Sequence, residues 1–227
     1  MPTCLITGAN RGLGLEFARQ YAADDWKVIA TCRRPDEAEA LAAVEGSVEI
    51  YPLDVTDFAR VEQLARKLSG VAIDLLINNA GIYGPRVVPY NNVEYAVWCE
   101  VLRVNTMAPL KVSAAFLDHL NRGQDKKIVT ISSKMGSIAD NTSGGVYIYR
   151  SSKAALNAVM KSLSIDLGDQ GFTVVVLNPG WVRTDMGGSG ASIDSFESVA
   201  GMRDVINNLR TEDSGRFLHY DGSEIPW

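Results

Sequence analysis

Short apolar runs, several of them rich in β-branched residues, alternate along the chain with longer segments whose apolar residues recur every three or four positions. The short runs have the length and composition of buried strands. They lie at residues 3–7, 27–32, 48–53, 74–78, 127–132 and 172–178. The periodic segments predict helices at residues 13–23, 37–44, 57–68, 93–120 and 149–167. Apolar strands that alternate with helices predict an α/β fold, in which helices cover both faces of a parallel sheet.

The C-terminal part of the chain follows a different pattern. Residues 187–190 read Gly-Gly-Ser-Gly, residues 199–209 predict a helix, and residues 217–219 predict a seventh strand. The segment after the Gly/Ser run is too short to form a core of its own. We therefore predict a single domain over residues 1–227, with six to seven strands and a mobile substrate loop at about residues 186–203.

The composition excludes several classes of protein. With 46% apolar and 22% charged residues, the chain resembles an ordinary globular protein. Its net charge of −5 provides no basic surface for nucleic acid or anionic membrane. The sequence shows neither a signal peptide nor an apolar run long enough to span a bilayer. We therefore expect a cytoplasmic protein that acts on a small molecule, without a nucleic-acid or membrane partner.

A glycine-rich loop follows the first predicted strand. Residues 7–14 read Thr-Gly-Ala-Asn-Arg-Gly-Leu-Gly, and a predicted helix begins at once. Glycines let the backbone approach a pyrophosphate, and the unpaired N–H groups and positive dipole end of a helix bind its charge. The order of strand, loop and helix therefore predicts a dinucleotide site. A purely steric glycine turn is the alternative, because the spacing is G-x-x-x-G-x-G and not G-x-G-x-x-G.

The end of the second predicted strand indicates which dinucleotide is bound. Sites for a free adenosine ribose usually carry a carboxylate there, but this strand is followed by Arg33 and Arg34, and the first carboxylate is Asp36. Two guanidinium groups, together with Arg11 of the glycine loop, suit a 2′-phosphate. We therefore predict NADP(H) as the cofactor, with a solvated pair of surface arginines as the alternative.

Several motifs together resemble those of the short-chain dehydrogenase/reductase family, in the family's order from about residue 3 to residue 186. They are the glycine loop, Asn78-Asn79-Ala80-Gly81, Ser132-Ser133, Tyr149-x-x-x-Lys153 and Pro-Gly-Trp-Val-Arg-Thr from Pro179. The resemblance implies a Rossmann-type doubly wound sheet and an NADPH-dependent oxidoreductase that reduces a ketone or aldehyde. Residues 179–186 and 220–227 are similar to the carbonyl reductase, sniffer-like and C-factor-like branch.

The resemblance also implies a catalytic tetrad of Asn105, Ser133, Tyr149 and Lys153. Tyr149 and Lys153 are four residues apart, so a helix places them on one face, where the ammonium would lower the pKa of the phenol. Tyr149 is then the general acid/base that exchanges a proton with the substrate oxygen. Ser133 donates a hydrogen bond to that oxygen, with Ser132 as the alternative, and Asn105 holds a water of a proton relay.

The cofactor contacts carried over from the family lie on loops that follow the predicted strands. They are Gly8, Asn10, Arg11, Gly12, Leu13, Gly14, Arg33, Arg34, Asp54, Val55, Asn79, Ala80, Gly81, Tyr149, Lys153, Pro179, Gly180, Val182 and Thr184. Asp54 is equally placed to cap the helix that begins near Asp57, and this alternative stays open. Val182 and Thr184 resemble the residues that hold the carboxamide.

One departure from the family concerns the substrate side. Ser133 stands 16 residues before Tyr149, a few more than the family pattern, and residues 140–145 fill the gap. We expect an enlarged loop there. Trp181, Tyr147 and Met186 are candidate apolar walls, with the protein core as the alternative location.

The sequence fits a serine hydrolase or a metalloenzyme less well than an oxidoreductase. A serine hydrolase is disfavoured because G-x-S-x-G is absent and the sequence suggests no base beside the nucleophile. His119 and His219 are far apart in sequence, so no metal site is predicted. The alternative function is a dinucleotide-binding signalling or interaction protein of the C-factor-like type. A homodimer through the long helical segments also follows from the resemblance.

Overall fold

The computed structural model describes residues 1–86 and 88–227, and a parallel sheet lies at its centre. Its strands are β1 (Thr3–Thr7), β2 (Lys27–Cys32), β3 (Val48–Pro52), β4 (Leu75–Asn78), β5 (Lys127–Ile131), β6 (Thr173–Asn178) and β7 (Phe217–His219). The seven strands follow the order β3-β2-β1-β4-β5-β6-β7, and all neighbours are parallel. The strand order reverses between β1 and β4, the place where doubly wound sheets bind ligands. The predicted fold class and the seventh strand are confirmed.

Helices cover both faces of the sheet. They are α1 (Gly12–Ala23), α2 (Glu39–Ala42), α3 (Phe58–Lys67), α4 (Tyr95–Leu102), α5 (Ala108–Ala115), α6 (Leu117–Arg122), α7 (Tyr147–Asp166) and α8 (Ser195–Asn208). Helices α1, α2 and α8 pack on one face, where Cys4 and Ile6 of β1 point, and α3, α5, α6 and α7 pack on the other with Leu5. Both faces of β1 are therefore buried, which explains its continuous apolar run. Within the described ranges, no helix has the length and apolar character needed to cross a membrane.

The long helix predicted over residues 93–120 is wrong as one element. It begins at Tyr95 and is divided by a π-turn, Arg103–Met107, and by a break at Phe116. Asn105 lies in the π-turn, and its side chain is hydrogen-bonded to the backbone of Ile82. Such turns bulge a helix outward by one residue, often at functional sites. A tertiary contact therefore accompanies the break, and helical periodicity gives no sign of it.

The predicted substrate loop is shorter than residues 186–203. Helix α8 begins at Ser195, because the Asp194 carboxylate caps it by accepting a hydrogen bond from the Glu197 N–H at 2.9 Å. The irregular part therefore ends at Asp194. The helix predicted at residues 199–209 is confirmed, with an earlier start.

Gly123, which follows α6, lies in a tightly packed position with no room for a side chain. A Cβ atom on Gly123 would lie 2.0 Å from the carbonyl oxygen of Ile73 and 3.0 Å from the Cα of Asp74. Both neighbours are backbone, so we expect Gly123→Ala to lower the free energy of unfolding by about 1–3 kcal/mol. Gly168→Ala is the control, since no atom lies within 4 Å of its Cβ position. Urea unfolding followed by circular dichroism measures both, and equal midpoints would contradict the prediction.

Candidate active site

A clamp of hydrogen bonds joins the ends of β1 and β4, where the strand order reverses. The Thr7 hydroxyl accepts the N–H groups of Asn79 at 3.0 Å and Ala80 at 3.1 Å. The Asn79 amide donates to the carbonyl oxygens of Thr7 at 2.9 Å and Gly8 at 3.1 Å. The glycine loop and the Asn-Asn-Ala-Gly motif are therefore held together as one surface.

The glycine loop has the shape that a pyrophosphate requires. Gly8 has φ +66°, and a Cβ atom there would lie 2.9 Å from the Cα of Ala80. A Cβ atom on Gly14 would lie 2.3 Å from the Gly8 carbonyl oxygen. No side chain caps α1, whose N-cap is Arg11, so the first N–H groups of the helix are left for an anion. These features fit the diphosphate of a dinucleotide.

The three arginines predicted to bind a 2′-phosphate differ in their surroundings. Arg34 donates to both carboxylate oxygens of Glu37, at 3.1 and 3.0 Å, and Arg11 is ion-paired with Asp185. Arg33 has no hydrogen-bond or ion-pair partner among residues 1–86 and 88–227. Arg33 is therefore the arginine that is most available to an added phosphate.

Asp54 lies near this arginine and does not cap a helix. Burial raises the pKa of Asp54, but the hydroxyl and N–H groups of Thr56 and the charge of Arg33 outweigh burial and lower it. The Asp54 carboxylate accepts from the Thr56 N–H at 2.9 Å. Asp57 caps α3 instead, by accepting from the Arg60 N–H at 3.0 Å. The alternative role of Asp54 as a helix cap is therefore wrong.

Tyr149 and Lys153, near the start of α7, lie close to Ser133, which follows the end of β5. Tyr149 is only 6% exposed and Lys153 only 5%. The Lys153 Nζ donates to the Ile131 carbonyl oxygen at 2.9 Å and lies 5.8 Å from the centre of the Tyr149 ring. Burial lowers the pKa of Lys153 to about 8. The predicted pair is therefore on one side of α7, in a site that excludes most water.

The expected lowering of the Tyr149 pKa by Lys153 is wrong for this structure. Burial raises the pKa of Tyr149, a hydrogen bond with Ser133 lowers it in part, and the nearby Tyr83 raises it further. The Lys153 ammonium lies beside the ring and is hydrogen-bonded to Ile131. The phenol is therefore held in its protonated form.

Ser133 is better placed than Ser132 to contact a substrate. The Ser132 hydroxyl is buried and donates to the Asn157 Oδ1 at 2.7 Å, below the site. The Ser133 Oγ accepts from the Met135 N–H at 3.2 Å, and its hydroxyl lies within hydrogen-bond reach of the Tyr149 phenol. Ser133 lies beside Tyr149 and Ser132 does not, and the catalytic role of Ser133 stays a prediction.

Asn105 holds the loop that follows β4. Its Nδ2 donates to the Ile82 carbonyl oxygen at 2.8 Å and to the Ser152 Oγ at 3.0 Å, and its Oδ1 accepts from the Ile82 N–H at 2.9 Å. A Cβ atom on Gly81 would lie 3.3 Å from the Asn105 Oδ1 and 3.7 Å from the Lys153 Nζ. The side chain of Asn105 therefore positions this loop against Lys153.

The turn that begins at Pro179 lies against the glycine loop, because Arg11 is ion-paired with Asp185. Gly180 has φ +84°, and a Cβ atom there would lie 2.8 Å from the Ile193 Cδ1 and 3.1 Å from the ring of Tyr220. Val182 is buried, and the Thr184 Oγ1 accepts from the Gly187 N–H at 3.2 Å. Packing against Tyr220, which follows β7, and against Ile193, which precedes α8, thus fixes this turn.

The remaining predicted contacts lie on the same loops. Asn10 is exposed in the glycine loop, Leu13 is half-buried at the start of α1, and Val55 is buried after β3. A Cβ atom on Gly12 would lie 3.6 Å from the Thr184 Cγ2, so the glycine loop faces the turn after β6. Over the described ranges, no group of three or more His, Cys, Asp or Glu side chains is arranged to hold a metal ion.

The segment between Ser133 and Tyr149 is tied down at several points. The main-chain oxygen of Trp227 accepts the N–H groups of Ile138 at 3.0 Å and Ala139 at 3.1 Å. Arg150 donates to the Ser143 hydroxyl at 2.8 Å. The enlarged segment is therefore anchored both to the C-terminal residues and to α7.

The expected apolar walls are surface residues, and the sequence did not predict the aromatic residue that contacts Tyr149. Tyr147, Trp181 and Met186 are 42%, 59% and 38% exposed, so none belongs to the core. Tyr83 stacks on Tyr149 with ring centres 4.3 Å apart. Sequence reasoning stopped at Gly81, although loops at this edge of a doubly wound sheet commonly carry ligand contacts.

Comparison with known proteins agrees with this geometry. A doubly wound sheet with a glycine loop at its switch point defines a dinucleotide-binding protein. A family model described as short chain dehydrogenase matches residues 2–192, and the chain belongs to the short-chain dehydrogenase/reductase family of oxidoreductases. The C-signal protein of Myxococcus xanthus is 46% identical over 155 residues, which cover 68% of this chain and 93% of that protein.

Two solved structures resemble the whole chain. Carbonyl reductase Sniffer of D. melanogaster has a TM-score of 0.92 and 35% identity, and the match covers 100% of both chains. The NADPH-bound carbonyl reductase from chicken fatty liver has a TM-score of 0.89 and 38% identity, covering 100% of this chain and 99% of that one. The single-domain Rossmann-type fold and the carbonyl reductase resemblance are therefore confirmed.

The buried ammonium of Lys153 makes the stability of the protein depend on pH. Burial lowers its pKa from 10.5 to about 8, so at pH 7 the folded state carries a charge that burial disfavours. We expect Lys153→Met to have a higher free energy of unfolding than the wild type at pH 7. Between pH 8 and 10 the unfolded wild type binds more protons than the folded form, so its stability rises with pH and the gap shrinks.

Urea unfolding at pH 7 and pH 10 measures this gap. Lys161→Met, which removes an exposed lysine from the same helix, controls for the lost charge. If the difference in the free energy of unfolding between Lys153→Met and wild type is the same at pH 7 and pH 10, the lowered pKa of Lys153 is refuted.

Proposed function

We propose that this protein is an NADPH-dependent carbonyl reductase that converts a ketone or aldehyde to an alcohol, with Tyr149 as the general acid/base. The observation that carries the proposal is the convergence of Tyr149, Lys153 and Ser133 beside the joined loops of β1 and β4. Carbonyl reduction needs a proton donor and an oxygen-binding hydroxyl at one point, and this edge of the sheet provides both.

The cofactor is assigned from the charges and shapes around the glycine loop. The loop and the start of α1 would hold the diphosphate, and Arg33 would pair with the 2′-phosphate. Asp54 and Val55 would lie at the adenine side, and Asn79, Ala80 and Gly81 along the adenosine. The NADPH bound to the chicken carbonyl reductase supports the phosphorylated cofactor.

The nicotinamide end would lie between α7 and the turn after β6. Tyr149 and Lys153 would contact its ribose, and Val182 and Thr184 would hold the carboxamide beside Pro179 and Gly180. The bound nicotinamide would supply hydride to the carbonyl carbon. By holding the carboxamide, this turn would determine which face of the nicotinamide ring points towards the substrate.

Ser133 and Tyr149 then bind and protonate the carbonyl oxygen of the substrate. The Ser133 hydroxyl donates a hydrogen bond to the carbonyl oxygen and stabilises the negative charge that develops there. The Tyr149 phenol, which is protonated at neutral pH, delivers its proton to the same oxygen. Lys153, whose pKa is about 8, is able to pass a proton onward near neutral pH, and Asn105 positions the loop that follows β4.

Removal of the Tyr149 phenol tests the catalytic assignment. We expect Tyr149→Phe to lower kcat with NADPH and an aldehyde by about 10²–10⁴-fold, the usual contribution of a general acid. NADPH binding, measured by fluorescence, should weaken by no more than about tenfold, because only the one hydrogen bond of the Tyr149 hydroxyl to the ribose is lost. Tyr95→Phe is the control, because Tyr95 is 73% exposed on α4. Turnover that survives in Tyr149→Phe would exclude this tyrosine as the proton donor.

The two arginines after β2 test the cofactor assignment. We expect Arg33→Ala to weaken NADPH binding by about ten- to a hundredfold, the worth of a hydrogen bond to a charged group, and to leave NADH binding unchanged. Arg34→Ala should have a smaller effect, because Arg34 is paired with Glu37. Fluorescence titration with both nucleotides measures this. Equal losses for NADPH and NADH would show that Arg33 does not bind the phosphate.

A signalling function is the second candidate, because the C-signal protein is 46% identical over 155 residues. Dinucleotide binding without turnover across a panel of ketones and aldehydes would favour it, and steady NADPH oxidation would count against it.

A cytoplasmic location stays a prediction. So does a homodimer, for which the exposed Met107, Leu110 and Ile165 on the predicted interface segments give support.

A further inference from the structure

Residues 224–227 form a return segment that runs back along β7 and is anchored to it. The N–H of Ile225 donates to the Phe217 carbonyl oxygen at 2.8 Å, and the side chain of Ile225 is buried in the core. The Trp227 ring stacks on the Phe217 ring, with centres 5.5 Å apart and an angle of 29° between the planes. These contacts hold the main-chain oxygen of Trp227 in one place.

This oxygen accepts three hydrogen bonds from the segment that follows Ser133. The donors are the Ser137 hydroxyl at 3.2 Å and the N–H groups of Ile138 at 3.0 Å and Ala139 at 3.1 Å. Ser137 is buried, so water does not easily replace its hydroxyl as a donor. Three donors that converge on one anchored acceptor fix this segment relative to β7.

A short 3₁₀ turn, Lys134–Gly136, joins these donors to Ser133. The Gly136 N–H donates to the Ser133 carbonyl oxygen at 2.8 Å, and the Met135 N–H donates to the Ser133 Oγ at 3.2 Å. A Cβ atom on Gly136 would lie 2.9 Å from the Lys153 carbonyl carbon, so the turn has no room to move towards α7. The position of the turn therefore sets the direction of the Ser133 hydroxyl.

We propose that Trp227 is a positioning residue for catalysis, which fixes the turn after β5 and thereby holds the Ser133 hydroxyl beside the Tyr149 phenol. The proposal rests on the carbonyl reductase function proposed above. Trp227 acts through the turn and not on the substrate. Its position matters for the rate because a hydrogen-bond donor stabilises developing charge only when it already points at the reacting oxygen.

A purely structural role for Trp227 makes a different prediction. If its ring only covers Phe217, its removal lowers the stability of the fold, and any loss of rate is independent of Ser133. If Trp227 positions Ser133, its removal slows the reaction only while the Ser133 hydroxyl is present. A double-mutant cycle measures this dependence directly.

The cycle compares wild type, Trp227→Ala, Ser133→Ala and the double variant. The measurement is kcat with NADPH and the carbonyl compound that the wild type reduces fastest in a panel of ketones and aldehydes. We expect Trp227→Ala to lower kcat by about tenfold when Ser133 is present, and by less than about twofold in the Ser133→Ala background.

Two further variants serve as comparisons in the same assay. Trp227→Phe keeps a ring that stacks on Phe217, so it should keep kcat within about twofold of the wild type. Tyr95→Ala removes an aromatic ring that is 73% exposed on α4 and should also leave kcat unchanged. NADPH binding, measured by fluorescence, should be the same in Trp227→Ala as in wild type, because the turn after β5 supports the substrate oxygen.

Hydrogen exchange of the free protein, followed by mass spectrometry, provides a readout that needs no turnover. We expect residues 134–140 to exchange faster in Trp227→Ala, because the N–H groups of Ile138 and Ala139 lose their fixed acceptor, while β1 keeps its wild-type rate. Ser137→Ala removes one of the three donors and serves as the test variant if Trp227→Ala does not fold. It should speed exchange of the same residues and lower kcat only in the presence of Ser133.

The inference is overturned if Trp227→Ala lowers kcat by the same factor with and without the Ser133 hydroxyl, or if exchange of residues 134–140 is unchanged. It is overturned as well if Trp227→Phe is as slow as Trp227→Ala, since the stack on Phe217 would then not be the anchor. Failure of the proposed function looks different. In that case wild type itself binds NADPH but reduces no compound of the panel, and the catalytic role of Trp227 falls with it.

Discussion

The hydrogen-bonded clamp between Thr7 and Asn79 is the constraint on which the rest of the site depends. It closes the point where the strand order reverses, and four bonds hold two loops that would otherwise diverge. Gly14 fits beneath the clamp only because it lacks a side chain. With this joint fixed, the start of α1 points at one position in the cleft, and the loop that carries Gly81 meets Lys153 and Asn105.

The buried Lys153 sets a conflict between stability and chemistry. Its ammonium donates to the Ile131 carbonyl oxygen, and burial disfavours its charge. A core of hydrocarbon would be more stable at the same place. The surroundings that weaken the charge also bring its pKa near neutrality, where a group exchanges protons most readily in both directions. The same dry environment raises the pKa of the Tyr149 phenol, so Tyr149 is a weaker acid than free tyrosine, and the hydrogen bond with Ser133 offsets part of this effect.

The sequence predicted features that are local or patterned, and it missed those that depend on distant contacts. Apolar runs placed the strands to within a residue or two, because a strand buried on both faces has a distinctive composition. The π-turn around Asn105 was missed because its partner, Ile82, is 23 residues away. The stack of Tyr83 on Tyr149 depends on the path of a loop, and the pKa of Tyr149 depends on burial, so neither could be derived from spacing alone. Asp54 was a plausible helix cap until the structure placed the helix start at Phe58, with Asp57 as its cap.

The order of the strands also bears on how the molecule comes into being. Strand β1 pairs with β4, and the bond between the Asn79 N–H and the Thr7 hydroxyl spans 72 residues. No strand of the sheet pairs with its neighbour through a hairpin, because every pairing is parallel. Such long-range pairing is slow to form, and a partly folded chain has strands and helices but no cleft. Ligand binding therefore requires the completed sheet. A dinucleotide bound across the ends of β1 and β4 would stabilise the folded state, because it binds only that state.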